Sequence, residues 1–132
     1  MSRQNLEVIE RGYAAWNRRD LQELLEVISP DFEFWPLPGF LDIEKVYRGK
    51  EGFKRFFETW WEAWTALDLS VERTEDLGDR VLALVLFDGV GRSSGARVTL
   101  SVGHLWSLRD GLIVRLDALE PDEAVEAAGL VQ

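Results

Sequence analysis

Residues 96–119 read ARVTLSVGHLWSLRDGLIVRLDAL, and the fold turns on how this stretch is paired. Asp110-Gly111 is a two-residue type I′ turn signal between two runs of strand-forming residues, because both turn positions need positive φ. An ideal hairpin about that turn sets Arg109 opposite Leu112, Leu108 opposite Ile113, Trp106 opposite Arg115 and His104 opposite Asp117. One face then carries Val98, Leu100, Val102, His104, Trp106 and Leu108 beside Ile113, Arg115, Asp117 and Leu119. The chain has 1 histidine, and it is expected on an apolar face across from a carboxylate.

Working outward, the two-residue period extends upstream to Leu69, with strands predicted over 69–74 and 80–91. In VLALVLF both alternating faces are apolar, as in a strand covered on both sides. The GRSSG turn at 91–95 leads into the hairpin. Earlier still, Leu6, Ile9, Tyr13 and Trp16 share one face of a helix over 3–18. Residues 17–20 interrupt it. Asp20 is an N-cap candidate with Glu23 three residues on, opening a second helix that buries Leu21, Leu24, Leu25 and Ile28 and stops at Pro30. A short strand is expected over 31–37, with Phe32, Phe34 and Pro36 on one face, Glu33 and Trp35 on the other, and Pro36 marking an edge or bulge. The segment 38–49, with Gly39, Asp42 and Tyr47, has no clear period and reads as a loop. A third helix is predicted over 51–67, striped by Phe53, Phe57, Trp60 and Trp64. Phe56 and Trp61 widen its apolar arc enough to suggest a cavity or a protein partner on that side. Beyond Pro121 comes a short terminal helix with Gly129 as its C′ residue.

Bulk properties narrow the function classes. The 132 residues read as one domain, 1–132, and 46% of them are hydrophobic, enough to build a core. A net charge of −9 argues against a nucleic-acid surface. No apolar run is long enough for a membrane helix, and the polar N-terminus does not read as a signal peptide. With 1 histidine and no cysteine, no transition-metal site is expected, and the cytoplasm is the compatible setting. Gly89, Gly91 and Gly95 fall at a hairpin turn rather than in a phosphate-binding loop, and no serine has a nucleophile-elbow context. No cofactor is implied.

The order of elements predicts an α+β fold: three helices against a strongly curved, mainly antiparallel sheet of four to six strands, enclosing a cone with a mouth at one end. The apolar outer face of strand 80–91 needs a cover, and a homodimer through the sheet supplies one.

Several segments together resemble the SnoaL-like branch of the nuclear-transport-factor-2-like superfamily. They are Tyr13-Ala-Ala-Trp-Asn-x-x-Asp20, Ser29-Pro-Asp31-Phe-Glu33, Tyr47-Arg-Gly49, His104-Leu-Trp-Ser-Leu-Arg-Asp-Gly111-Leu-Ile113 and Glu126-Ala-Ala-Gly-Leu130. The resemblance implies a cone-shaped α+β barrel, usually dimeric, with a hydrophobic pocket; activities on this scaffold range from isomerases, dehydratases, epoxide hydrolases and cyclases to non-catalytic modules. Carried over residue by residue, the three catalytic positions of the ketosteroid isomerases fall at Gly12, Pro36 and His104, none of which keeps the family residue. The pocket acid of cyclases and epoxide hydrolases falls at Ala118, which Asp117 could replace only if a bulge or slip turned it inward.

His104 is the sharpest catalytic candidate, as an acid or base near neutral pH, and Asp117 is its candidate partner. Tyr13, Trp16, Phe34, Phe57, Trp60, Trp64 and Trp106 are candidates for an aromatic pocket wall, of which roughly half of the helix and first-strand members are expected to touch ligand. Arg115 would anchor a ligand anion unless a bulge sent it outward. Glu120 would cap the terminal helix or close the pocket mouth. The sequence thus supports a protein that binds a hydrophobic small molecule, polycyclic or terpenoid-like in scale, with two alternatives for its role: cofactor-independent acid/base chemistry, or a non-catalytic ligand-binding or dimerisation module.

Overall fold

The computed structural model describes residues 2–39 and 43–130. In chain order these form α1 (Ser2–Asn17), α2 (Leu21–Val27), β1 (Ile28–Trp35), β2 (Tyr47–Arg48), α3 (Gly49–Glu62), β3 (Trp64–Asp76), β4 (Arg80–Gly91), β5 (Arg97–Arg109), β6 (Leu112–Leu119) and α4 (Pro121–Ala127). The strands make one curled, open six-stranded sheet in the order β2-β1-β6-β5-β4-β3. All neighbours run antiparallel except β1 and β6. α1, α2 and α3 cover one face, and α4 lies on the other. This is the α+β architecture expected from the sequence.

The caps follow the local chemistry. Asp20 caps α2 by accepting the Glu23 N–H at 3.1 Å. At the β5–β6 reversal Asp110 and Gly111 take φ of 55° and 78°, the pair of positive values a type I′ turn demands. Glu120 precedes α4, its own N–H donating to the Glu123 carboxylate at 3.3 Å.

Several boundaries depart from the sequence pattern. α2 ends at Val27 and β1 is already running at Ile28, two residues before Pro30. The residue preceding a proline is pushed out of the helical region, and here the extended chain is claimed by pairing with β6. Since β1 lies between β2 and β6, it is no edge, and Pro36 sits just beyond its end. Within the segment expected to be a loop, Tyr47 and Arg48 form β2; Asp42 lies outside the described residues.

α3 ends at Glu62, so Trp64 belongs to β3 and not to the helical stripe. The reason is remote. Arg92, in the turn after β4, donates through its guanidinium to the carbonyls of Glu62 (2.9 Å) and Trp64 (2.8 Å), and through its backbone N–H to Ala63 (2.9 Å). Those carbonyls are thereby satisfied outside any further helical turn. Further along β3, Asn17 ends α1 with its amide bridging the backbone of Leu69 on this edge strand, donating to the carbonyl at 2.9 Å and accepting the N–H at 3.1 Å.

α4 buries Ala124, Val125 and Ala128 against Leu82 and Leu105 of the sheet. It comes so close to β5 that a Cβ on Gly103 would lie 2.3 Å from the Ala124 Cβ. Glycine is required there to seat the helix. Gly103→Ala should therefore lower Tm by roughly 5–10 °C through overpacking, the cost falling on the α4 seat. A thermal melt unchanged within about 1 °C would show that this contact is not tight.

Candidate functional site

Pairing between β5 and β6 determines what faces the helices. Beyond the turn the register is Leu108 to Ile113, but the next pair is Ser107 to Arg115, so Val114 is an extra residue on β6. This β-bulge reverses the alternation of β6. Trp106 then pairs with Leu116 and His104 with Ala118. The ideal register, which set His104 across from Asp117, is corrected accordingly. Leu116 and Ala118 point with His104 toward the helices, while Arg115 and Asp117 point to the opposite side of the sheet.

Between helices and sheet lies a cavity of about 90 Å³. Tyr13 and Trp16 reach it from α1, Phe34 from β1, Phe56 and Trp60 from α3, and His104 and Trp106 from β5; Leu116 and Ala118 close the β6 side. No described residue on this wall carries an acid or an ammonium or guanidinium group. Pro36, Leu37 and Ile43 line its other end.

Of the aromatic candidates, Tyr13, Trp16, Phe34, Trp60 and Trp106 are on the wall. Phe57 and Trp64 stand behind it: Phe57 packs edge-on against Trp16 at 5.6 Å between centroids, and Trp64 lies 5.7 Å from Trp60. Trp64 also fills the space over Gly89, where a Cβ would meet its ring at 2.8 Å. Phe56 and Trp61 are only 7% and 6% exposed, so they offer no outward docking stripe. Trp61 is covered by the Arg19 guanidinium, 4.1 Å above its ring.

Arg115 and Asp117 are engaged with each other. The guanidinium donates to both carboxylate oxygens, at 2.8 and 2.9 Å, lies 5.2 Å over the Trp35 ring, and approaches Glu33 at 3.6 Å. The Asp117 carboxylate beside it holds the Arg115 pKa above its ordinary value. Neither side chain is brought to His104.

The partner of His104 is instead Tyr13. Its hydroxyl lies 2.7 Å from His104 Nδ1 and accepts a hydrogen bond from Trp106 Nε1 at 2.8 Å. The tyrosine and histidine rings are nearly parallel, 9° apart, with centroids 5.8 Å apart. Phe87 and Trp106 present edges to the imidazole at 6.3 and 5.5 Å. The cross-strand neighbours of His104 are both alanines, Ala83 and Ala118. Sequence reasoning placed Tyr13 in the wall but missed its bond to His104, because a contact across 91 residues leaves no local pattern. Leu116 was missed through the bulge, whereas the family resemblance marks Ala118 as the pocket-facing position of the last strand.

Burial in this dry environment pushes the His104 pKa down to about 3 and the Tyr13 pKa up. Both are neutral at physiological pH.

Comparison with known proteins agrees with this fold. The model of the SnoaL-like domain matches residues 9–116. The chain belongs to the SnoaL-like family. Among solved structures this SnoaL-like protein is similar to TerC co-crystallised with polyporic acid, with 24% identity, a TM-score of 0.81, and 95% of this chain and 97% of that one covered. It is similar to a nuclear-transport-factor-2-like protein from Burkholderia thailandensis at 25% identity and TM-score 0.81, covering 95% and 96% of the two chains. A candidate SnoaL-like polyketide cyclase from a Jannaschia species gives 20% identity and TM-score 0.78, covering 98% and 93%. No curated protein matches the sequence significantly. No helix among the described residues is long and apolar enough to cross a membrane.

The depressed basicity of His104 has a consequence for stability. An unfolded histidine titrates near pH 6.5, so between there and about pH 3 the unfolded chain holds a proton that the folded one lacks. This contribution is complete above pH 6.5 and is lost as pH falls through that window, by up to about 1.4 kcal/mol per pH unit. Urea denaturation at pH 7, 6 and 5 should show the wild type losing stability faster than His104→Gln. Equal slopes for the two proteins would mean that the imidazole charges freely in the folded state.

Proposed function

We propose that this SnoaL-like protein binds a small apolar molecule within the cavity between helices and sheet. The observation that carries this reading is the wall itself: aromatic and aliphatic side chains, with no described group that is charged at neutral pH. An apolar cavity of about 150 Å³ in another protein holds benzene. A space of about 90 Å³ is smaller than that and admits at most a single small ring, not the polycyclic scale expected from the sequence. A homodimer through the outer sheet face, where Leu86 of β4 is half-buried and apolar, belongs to the same proposal.

Trp16, Trp60 and Trp106 on the wall provide the readout. Titration with small ring compounds should quench or shift tryptophan emission saturably. Ala118→Leu, which adds bulk at the cavity floor, should weaken that binding at least about tenfold while the protein still melts cooperatively. Binding unaffected by the larger side chain would place the ligand elsewhere.

Proton-transfer catalysis, with His104 as acid or base but without Asp117 as its partner, is the second reading. His104 at the cavity wall supports it; the low basicity of the ring and the outward direction of Asp117 favour binding. Turnover of a bound ring compound that disappears in His104→Gln would reverse that preference.

A further inference from the structure

We infer that Tyr13 and Trp106 lock His104 as the neutral tautomer protonated on Nε2, so that the cavity selects an apolar ring bearing one hydrogen-bond acceptor, such as a cyclic ketone. The selectivity rests on the cavity being the ligand site; the tautomer does not.

The argument is a count of protons. An indole N–H can only donate, so the Trp106 contact at 2.8 Å occupies a lone pair of the Tyr13 oxygen. The single phenolic proton then needs an acceptor, and His104 Nδ1 stands 2.7 Å away. If Nδ1 carried the proton instead, it would donate into the tyrosine oxygen. The phenolic proton would then be buried with no acceptor among the described residues, at a cost the first arrangement avoids. Ionisation offers no escape, since burial disfavours both the phenolate and the imidazolium.

With Nδ1 accepting, Nε2–H is left as a donor, and no described residue hydrogen-bonds to it. Its flanking cross-strand residues, Ala83 and Ala118, have no polar side chain to compete. The unused polar capacity of the imidazole is therefore a single donor. A ligand acceptor gains a bond from a donor that is otherwise unpaired, whereas a hydrocarbon leaves it unpaired and an ammonium meets another donor.

The 1 histidine in the chain makes the test direct. With ¹⁵N-labelled histidine, a long-range ¹H–¹⁵N spectrum of the ligand-free protein at pH 7 should show a protonated Nε2 and a bare Nδ1. In the same buffer, cyclohexanone should bind at least about tenfold more tightly than methylenecyclohexane, and cyclohexylammonium more weakly than either. Tyr13→Phe frees the imidazole to change tautomer, so the ketone-to-hydrocarbon ratio should fall to within about threefold. A purely structural loss would weaken both ligands and preserve the ratio. A wild-type spectrum with the proton on Nδ1, or averaged between the nitrogens, overturns the inference even if ketones bind. A locked Nε2–H with equal affinity for ketone and hydrocarbon overturns the selectivity. A locked tautomer with no binding of any of the three compounds overturns the cavity as a binding site, and the selectivity with it.

Discussion

One extra residue in one strand governs the character of the interior. Because Val114 bulges out of register, the remainder of β6 turns over, and the ion pair of Arg115 with Asp117 is delivered to the outer side of the sheet. Without the bulge, both charges would enter the space beneath the helices, where desolvating them would cost several kcal/mol each. With it, that position is taken by Leu116 and Ala118, and the wall can be aromatic and aliphatic. The hollow is uncharged because β6 is bent.

An interior of that kind changes what its few polar atoms can do. In water a histidine is a switch near neutral pH. Here, buried among Tyr13, Phe87 and Trp106, the ring is held neutral and its direction is fixed by hydrogen bonding rather than by a counter-charge. The same low dielectric that suppresses its basicity strengthens any neutral hydrogen bond it makes. The family's scaffold is compatible with either binding or catalysis.

Most of the fold was legible in the sequence because local rules wrote it. Asp110-Gly111 announced its turn, Asp20 its helix, and the two-residue period of β4 gave that strand its bounds. The expected faces of α1 and β1 also hold, with Ile9, Tyr13, Trp16, Phe32 and Phe34 all buried. What could not be read was set by distant partners. Trp64 continues the spacing of Phe57 and Trp60, yet the helix ends at Glu62, where Arg92 binds the chain as it leaves. A bulge has no sequence signature in LIVRLDAL, where apolar and charged residues alternate plausibly in either register. The site suffered most from this, since shifting β6 by one position exchanged Asp117 for Ala118 and left the histidine with a hydroxyl for company.

β3 lies at the margin of the sheet, and an unprotected margin is a template on which another chain can add a strand. Asn17 occupies both backbone groups of Leu69 with its own amide, so the hydrogen-bonding row available to an intruding strand is broken near its middle. Flanking charges at Asp68, Glu72 and Arg73 make the remainder unwelcoming. The side chain that finishes the first helix therefore also guards the protein against aggregation along that margin.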